Sequence, residues 1–504
     1  MSDNLYKQFF DGFSANIEKP FLVTDTEQSV DYSTVDAESA RFAQALTALG
    51  AEQGDRITVQ VEKSVEMLWL YLGCLRAGLV FHPLNTAYQT GELNYFVENA
   101  APRVIICASD SLAQMAELGK KHGVDHVLSL DAEGSGSLID YVKDYPAEFT
   151  TVDSEADDTA ALLYSSGTTG VPKGIMLTHG NLATNARTLC EVWGFRNDDI
   201  LLHALPIFHV HGLFVALGCV LLSGASMRWL ESYKAKTVLE NLPKCTVMMG
   251  VPTYYTRLLA LDNFTAEDCL NIRLFVSGSA PLLSETFEQF ESRTGHRILE
   301  RYGMTETNMN SSNPLEGERR PGSVGLPLPG VQIRVVNGQG EVLGVNSVGA
   351  VQVKGKNVFK AYWQLPEKTA EDFTEDGFFD TGDQGRFDDD GYLFIVGREK
   401  DMVISGGLNI YPKEIELVID DIDGVIESAV IGVPHDDFGE GLVGVVVGES
   451  SLEQAIIGTV RASLAAYKVP KKLVFVEELP RNAMGKVQKN VLREQNKMLL
   501  KKRG

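Results

Sequence analysis

A run of six small residues, Ser165-Ser166-Gly167-Thr168-Thr169-Gly170, is the part of this 504-residue chain best suited to chemistry. It does not favour a helix or a strand interior, because glycine loses much entropy on folding and hydroxyls compete for backbone hydrogen bonds. Its successive N–H groups and hydroxyls could instead bind a polyanion, with Lys173 adding a positive charge. The preceding apolar segment, 160–164, is typical of a strand end, where nucleotide phosphates usually bind in α/β folds. The loop is therefore predicted to bind a nucleotide.

A flexible connector is the alternative for this loop taken alone. The sequence has no P-loop motif, since Lys486 is followed by Val487 rather than Ser or Thr. The nucleotide interpretation depends on five further motifs: Ser277-Gly278-Ser279-Ala280-Pro281-Leu282, Glu300-Arg301-Tyr302-Gly303-Met304-Thr305-Glu306-Thr307, Thr381-Gly382-Asp383, Gly397-Arg398-Glu399-Lys400-Asp401 and Pro480-Arg481-Asn482-Ala483-Met484-Gly485-Lys486.

Strands and helices alternate in front of these motifs, which predicts an α/β protein with mostly parallel sheets covered by helices. The predicted elements are a helix over 36–49, strands over 57–61, 80–82 and 104–107, and a helix from a Ser64 cap to about Ala77.

The composition changes near Gly397, where glycine, proline and acidic residues cluster. We expect a large N-terminal domain, residues 1–397, of helix-covered sheets plus a small β-rich subdomain. Residues 398–504 are predicted to form a small mobile α+β domain. Its predicted elements are helices 412–420 and 452–467 and strands 428–433, 442–447 and 472–476.

The net charge of −23 argues against nucleic-acid or anionic-membrane partners, and no apolar run is long enough to span a bilayer. The N-terminus lacks a leader pattern, and the six cysteines form no C-x-x-C pair. We therefore expect free thiols in a reducing cytoplasm. The segment from Lys468 to the end is different, since it holds eleven Lys or Arg residues against three Glu.

In order and spacing, the motifs closely resemble the acyl-adenylate-forming superfamily of acyl-CoA synthetases, adenylation domains and beetle luciferases. The resemblance covers nearly the whole chain and is strongest to malonyl-CoA synthetases. It implies ATP, Mg²⁺ and coenzyme A as reaction partners. In the implied reaction, a carboxylate attacks the α-phosphorus of ATP to give an acyl-adenylate, and a thiol then displaces AMP.

The resemblance assigns the ATP site. Tyr302 would stack on adenine opposite the loop of Ser279, Ala280 and Pro281, while Thr305 would bond the α-phosphate. Asp383 and Arg398 would bind the ribose. Glu306 would hold Mg²⁺, a hard cation that prefers oxygen ligands. The remaining nucleotide ligands are those of the small-residue loop, Ser165, Ser166, Gly167, Thr168, Thr169, Gly170 and Lys173, and His209 would lie near the phosphates.

Lys486 is the predicted main catalytic residue, because an ammonium can neutralise the carboxylate and the α-phosphate as they approach. Lys400 matches the family's hinge position, and rotation there would bring the coenzyme A tunnel of Ser405, Gly406 and Gly407 to the site. Basic residues from Lys468 to Lys472 would suit the phosphates of coenzyme A. Free coenzyme A is expected because no carrier domain follows Gly504. Acylation of Lys486 by a lysine acetyltransferase would remove its charge.

Arg301 points to a small dicarboxylic acid, because a guanidinium in an acyl pocket is costly unless it meets an anion. His211 and Ser279 would line the same wall, and Val210 and Met309 would limit a 2-substituent. Malonate is the first candidate and methylmalonate the second; another short-chain or aromatic acid is the alternative. Arg301 could instead form a structural salt bridge with Glu300 or Glu318, and His211 could be a polar core residue.

A non-catalytic nucleotide-binding protein with the same fold is the competing function class. Retention of Lys486, Glu306 and Asp383 favours the enzyme.

Overall fold

The computed structural model describes residues 2–165, 172–398, 401–405, 408–435, 439–464, 466–482 and 486–501. Its helices are α1 Leu5–Phe13, α2 Tyr32–Ala48, α3 Val65–Arg76, α4 Thr90–Ala100, α5 Leu112–Lys121, α6 Ser137–Val142, α7 His179–Val192, α8 Leu217–Ser223, α9 Ala235–Asn241, α10 Pro252–Leu259, α11 Ser284–Thr294, α12 Pro366–Asp372, α13 Pro412–Asp420, α14 Glu453–Ser463 and α15 Lys489–Asn496.

The strands, numbered in chain order, fall into four sheets. They are β1 Pro20–Thr24, β2 Ser29–Asp31, β3 Arg56–Gln60, β4 Val80–Pro83, β5 Val104–Cys107, β6 His126–Ser129, β7 Thr159–Ser165, β8 Lys173–Thr178, β9 Ile200–His203, β10 Ser226–Trp229, β11 Val247–Gly250, β12 Leu274–Ser277, β13 Leu299–Met304, β14 Asn308–Ser312, β15 Leu326–Pro327, β16 Gln332–Val336, β17 Gly349–Lys354, β18 Ala361–Tyr362, β19 Phe379–Phe387, β20 Leu393–Arg398, β21 Val403–Ser405, β22 Leu408–Ile410, β23 Val425–His435, β24 Gly439–Gly448 and β25 Lys472–Val476.

The first sheet has the order β18-β8-β7-β4-β3-β5-β6 and is parallel from β7 to β6. Its helices confirm the predicted alternation. Ser64 caps α3 by accepting a hydrogen bond from the Met67 N–H. The predicted start of α2 at Asp36 was wrong, because Asp31 caps the helix by accepting from the Thr34 N–H and helical residues begin at Tyr32.

The second sheet has the order β15-β14-β13-β12-β11-β9-β10-β1-β2. Its central strands β13, β12, β11, β9 and β10 run parallel. Their carboxyl ends therefore meet at one edge, which is where ligands bind in open α/β sheets. The residues at or just beyond this edge include His203, Gly278 and Arg301.

The third sheet, β16-β17-β19-β20, is antiparallel and places Asp383 directly opposite Arg398. The fourth sheet has the order β22-β21-β24-β23, with β25 alongside β24. Helix α13 and strand β25 match the predicted residues. The helix predicted over 452–467 ends at Ser463, because Leu464 has an extended backbone, and a separate 3₁₀ turn covers Ala466–Lys468.

The hydrophobic core is divided along the sequence. In the described chain, the largest cluster of buried apolar side chains runs from Leu5 to Leu393, and two smaller clusters lie between Val403 and Leu492. Together these give the large N-terminal and small C-terminal domains of the predicted α/β fold. Among the helices of the described residues, none is long and apolar enough to cross a bilayer.

Candidate nucleotide and acyl site

Tyr302, Asp383 and Arg398 form one hydrogen-bonded and ion-paired group. The Tyr302 hydroxyl donates to Asp383 Oδ2 at 2.6 Å, and Arg398 Nε lies 2.9 Å from Asp383 Oδ1. Asp383 is buried, and its backbone N–H donates to Thr381 Oγ1. Burial and the neighbouring Asp383 carboxylate raise the pKa of Tyr302, so its hydroxyl keeps the proton that it donates. The sequence motifs that carry these three residues therefore meet in space.

The loop after β12 has an exposed surface. Ser279 has a left-handed backbone with φ of +70°, which a serine rarely adopts. Ser279, Ala280 and Pro281 are all exposed, although the strand before them is buried. A strained and exposed loop at the carboxyl end of a central strand is well placed to cover a ligand.

Glu306 is buried beside the end of β7. Its Oε1 accepts a hydrogen bond from the Ser165 hydroxyl at 3.1 Å, and its backbone carbonyl accepts from the Phe359 N–H at 2.7 Å. Burial raises the pKa of this carboxyl, whereas Arg398 and Lys173 lower it. Thr305 is half-buried in the turn just before it.

The surroundings of Glu306 fit Mg²⁺ bound mainly through substrate. No group of three or more metal-ligating side chains occurs in the part of the chain that the structure describes. Mg²⁺ commonly uses one or two carboxylates together with phosphate oxygens and waters. A single buried carboxylate, destabilised as an anion by burial, is suited to that role.

The small-residue loop joins two antiparallel strands rather than a strand and a helix. Ser165 ends β7 and pairs with Lys173, which begins β8. Ser166, Gly167, Thr168, Thr169 and Gly170 lie outside the described residues. The Lys173 ammonium lies 3.4 Å from Asp372 Oδ2 and 4.2 Å from the centre of the Tyr362 ring. Its positive charge is thus partly neutralised by the Asp372 carboxylate.

Arg301 is a buried cation that has no counter-ion among the described residues. Its side chain extends from β13, the residue is 3% exposed, and Nε and Nη2 have no hydrogen-bond partner among the described residues. The predicted alternative of a salt bridge was wrong. Glu300 accepts from the Leu282 N–H, Glu318 pairs with Arg320, and no described carboxylate lies within 4.0 Å of Arg301. Burial lowers the pKa of Arg301 to about 10.

Gly278 provides the space for this guanidinium. A Cβ added at Gly278 would lie 2.4 Å from Arg301 Cζ, well inside van der Waals contact. Gly278 belongs to the motif at 277–282, but no role for it could be predicted from the sequence alone. Ser277 and Glu300 are paired on neighbouring strands, so the residues that follow them, Gly278 and Arg301, lie side by side. This pairing joins distant parts of the sequence, and local patterns do not predict it.

Two imidazoles extend the same polar wall. His211 Nδ1 lies 3.3 Å from Ser279 Oγ, and its Nε2 has no partner among the described residues. The Nε2 atom of His209 likewise has none. Burial lowers the pKa of His209 to about 3, and burial together with Arg301 lowers that of His211 well below its usual value. Both rings are therefore neutral, and the role of His211 as acyl-site or polar core residue stays a prediction.

Val210 and Met309 supply apolar surface next to these polar groups. Both are buried, and Val210 lies between the two histidines in sequence. A Cβ added at Gly303, two residues after Arg301, would lie 2.6 Å from Met309 Cε. Asn185 of α7 holds the Met309 backbone at both its N–H and its carbonyl. The sequence analysis did not predict a role for Asn185. Its position inside helix α7 is the only feature that could have indicated one.

The C-terminal residues of the prediction are described only in part. Lys400, Gly406 and Gly407 lie outside the described residues, whereas Ser405 is buried at the end of β21. Lys486 is exposed. Its backbone N–H donates to Asn482 Oδ1, and its backbone carbonyl accepts from the Asn482 N–H.

Part of the basic charge predicted for coenzyme A is neutralised inside the small domain. Lys468 Nζ lies 2.6 Å from Glu414, Lys489 pairs with Glu416, and Arg481 pairs with Glu427. Lys472 remains on the exposed surface. Of the residues predicted for the coenzyme A phosphates, Lys468 is thus ion-paired within the protein and Lys472 is exposed to solvent.

Comparisons with known proteins cover both domains. The profile of the AMP-binding enzyme family matches residues 11–363, and that of the AMP-binding enzyme C-terminal domain matches residues 414–486. The malonate–CoA ligase of Arabidopsis thaliana is 37% identical over 481 residues, which cover 88% of this chain and 78% of the relative.

Among solved structures, ATP-bound MatB from Rhodopseudomonas palustris is 49% identical and superposes with a TM-score of 0.97 over 99% of this chain and 100% of that chain. The apo form of the same protein, at the same identity and coverage, gives a TM-score of 0.87. This chain thus superposes more closely on the ATP-bound form than on the apo form.

Proposed function

We propose, from the premise that this chain belongs to the AMP-binding enzyme family, that it is an ATP-dependent ligase joining malonate to coenzyme A. The single observation that carries the choice of acid is Arg301, a buried guanidinium that has unused donors and no paired carboxylate in the part of the chain that the structure describes. A second carboxylate on the substrate would pair with it. The likeness to a malonate–CoA ligase supports the same choice.

In the first step, one malonate oxygen attacks the α-phosphorus of ATP, and the bond to pyrophosphate breaks. Asp383 and Arg398 hold the ribose, Tyr302 stacks on the base, and Thr305 bonds the α-phosphate. Mg²⁺ held by Glu306 would offset charge on the departing pyrophosphate. Lys486 places a positive charge between the two anionic reactants, which would otherwise repel each other.

In the second step, the thiol of coenzyme A attacks the acyl carbon, and AMP leaves with the bonding electrons. We place the domain boundary at residues 397–398 and the hinge at Lys400. Rotation there would withdraw Lys486 and bring Ser405, Gly406 and Gly407 to the pantetheine arm. The division of the hydrophobic core between Leu393 and Val403 supports this boundary.

The size of the acid is limited by Val210 and Met309, which leave malonate as the first candidate and methylmalonate as the second. A neutral short-chain or aromatic acid is the alternative. Such an acid would leave the Arg301 guanidinium buried and uncompensated, which costs several kcal/mol. The dicarboxylate is therefore preferred.

Two further proposals concern the cell. All six cysteines are free, which supports a reducing compartment such as the cytoplasm. Lys486 is exposed and so accessible to a lysine acetyltransferase. Acetylation would remove the charge that the first step needs.

A substrate panel tests the function. Pyrophosphate release is measured with malonate, methylmalonate, acetate, butyrate and benzoate for the wild type and for Arg301→Gln. Loss of a buried charge pair costs about 2–5 kcal/mol, so kcat/KM for malonate should fall ~30- to ~4,000-fold while that for butyrate does not. Arg228→Gln is the matched control, because Arg228 is also buried but pairs with Glu27. The proposal fails if the wild type does not prefer malonate, or if Arg301→Gln lowers activity equally with every acid.

A further inference from the structure

Lys63 is a buried cation that the reaction scheme leaves unused. It follows β3, immediately before the Ser64 cap of α3, and the residue is only 7% exposed. Within the described residues, no carboxylate lies within ion-pair distance of it. Its Nζ lies 3.0 Å from His203 Nδ1, 2.9 Å from the His203 carbonyl and 2.6 Å from the Leu230 carbonyl. Burial lowers the pKa of Lys63 well below its usual value, whereas these three acceptors match the three protons of an ammonium and favour the charged form.

The contact with Lys63 determines which nitrogen of His203 carries the proton. His203 Nε2 lies 3.0 Å from the Gly212 carbonyl, and this pair makes a hydrogen bond only if Nε2 is protonated. Nδ1 must then accept the proton that Lys63 donates. Burial and the Lys63 charge lower the pKa of His203 well below its usual value, so the ring is neutral. Lys63 thereby selects the tautomer that binds Gly212.

Gly212 ends the loop of residues 206–212, which contains His211 of the proposed acyl site. A Cβ on Gly212 would lie 2.1 Å from the Pro206 carbonyl, so residues 206–212 fold back tightly. The His209 carbonyl accepts from the Leu213 N–H, and a π-helical turn follows over His211–Ala216. Turns of this kind are frequent at functional sites. The imidazole of His203 therefore holds the backbone directly next to His211.

The hydrogen bonds of Lys63 with His203 and Leu230 also connect the two large sheets. Lys63 follows a strand of the first sheet, whereas His203 ends β9 and Leu230 directly follows β10 of the second sheet. The first sheet contributes Ser165 and the β7–β8 hairpin, and the second contributes Arg301. Relative placement of the two sheets thus sets the distance between bound acid and nucleotide, to which the rate of reaction is sensitive.

We propose that Lys63 is a positioning residue for the acyl site: through the Nε2–H tautomer of His203 it fixes the Gly212 carbonyl, and with it the loop that presents His211 beside Arg301. The inference rests on the proposed function for the identity of the acid. It does not require Lys63 to touch any substrate.

Two amide substitutions at His203 separate its contact with Lys63 from its contact with the Gly212 carbonyl. An Asn side chain can replace Nδ1 as the acceptor for Lys63 but cannot reach Gly212. A Gln side chain can replace Nε2 as the donor to Gly212. We expect His203→Gln to retain a near-normal KM for malonate, and His203→Asn to raise it about 10- to 100-fold, with KM for ATP changed less than about twofold.

Lys63→Met should behave like His203→Asn, and Lys63→Arg should restore part of the affinity for malonate. Arg76→Met is the matched control for stability, because Arg76 is equally buried but bonds only groups remote from the acyl wall, such as Tyr6 and Asp36. It should lower Tm and leave both KM values unchanged.

Kinetic constants are determined on the full-length protein, per folded active site. If Lys63→Met does not fold, the His203→Asn and His203→Gln pair decides alone. An unchanged KM for malonate in His203→Asn, or equal losses in the Asn and Gln variants, would overturn the inference. If the wild type prefers another acid, the proposed function fails, and the same comparison made with that acid still tests Lys63.

Discussion

Gly278→Ala should damage acid binding by displacing Arg301 alone. The added Cβ would lie 2.4 Å from Arg301 Cζ, whereas ordinary contacts lie at 3.4–4 Å. The guanidinium must therefore move by at least about 1 Å. The backbone at Gly278 does not have a positive φ, so alanine brings no conformational strain there. The substitution tests one contact without removing any polar group.

The expected loss of affinity for malonate follows from the hydrogen bond between malonate and Arg301, which the displaced guanidinium could no longer make. A hydrogen bond to a charged group contributes about 1.5–3 kcal/mol, which corresponds to ~10- to ~150-fold in affinity. We expect KM for malonate to rise within that range, with KM for ATP nearly unchanged. Isothermal titration of malonate in the presence of a non-hydrolysable ATP analogue, together with steady-state pyrophosphate release, measures both.

A double-mutant cycle makes the reasoning falsifiable. Once Arg301→Gln has removed the guanidinium, Gly278→Ala has nothing left to displace and should add little further loss. Gly458→Ala is the control, because a Cβ there meets no atom within 4 Å. Additive losses, or an unchanged malonate KM in Gly278→Ala, would mean that Arg301 does not bind the acid.

Three other results are expected. Asp383→Asn should raise KM for ATP by at least ~10-fold while sparing KM for malonate, because it weakens the group formed with Tyr302 and Arg398; an equal change in both constants would contradict this. Lys486→Ala should abolish adenylate formation yet leave thioester formation from preformed malonyl-adenylate, which rapid-quench assays distinguish; loss of both half-reactions would refute domain rotation. Burial raises the pKa of Glu300 to about 8, above its unfolded value, so its contribution to stability is fully present below about pH 4 and is lost as pH rises to about 8. Glu300→Gln should therefore raise Tm more at pH 8 than at pH 5, and the same gain at both would show that the carboxyl ionises normally.

The regular elements could be predicted because their signals are local. The Ser64 cap, the boundaries of α13 and the apolar run of β25 each depend on a few neighbouring residues. The end of α14 was missed because the break depends on the backbone at Leu464, and the helical pattern of the sequence continues past it. Composition gave no warning of that break.

The residues of the site can likewise be separated into those that local motifs predict and those that depend on long-range contacts. The motif residues Tyr302 and Asp383 could be named in advance because a resemblance supplied them, and the pairing of β19 with β20 then brought Arg398 to them. The fit of Arg301 over Gly278 could not be predicted, because it depends on which strands lie side by side. The same holds for Lys63, whose partners are more than a hundred residues away in sequence. A lysine in a short loop gives no sign that it is buried.

The charge on Arg301 also determines which kinetic constant it should affect. The far carboxylate of malonate stays ionised throughout adenylation, so its attraction to Arg301 is the same in the ground state and in the transition state. Interactions of that kind lower KM without raising kcat. The proposed role of Lys486 differs, since the two anions that it would join approach each other only during the reaction. At saturating malonate, Arg301→Gln should therefore recover much of its kcat, whereas Lys486→Ala should not recover at any malonate concentration. If Arg301→Gln were to lose kcat as fully as Lys486→Ala, the guanidinium would act on the reacting carboxylate rather than on the distant one.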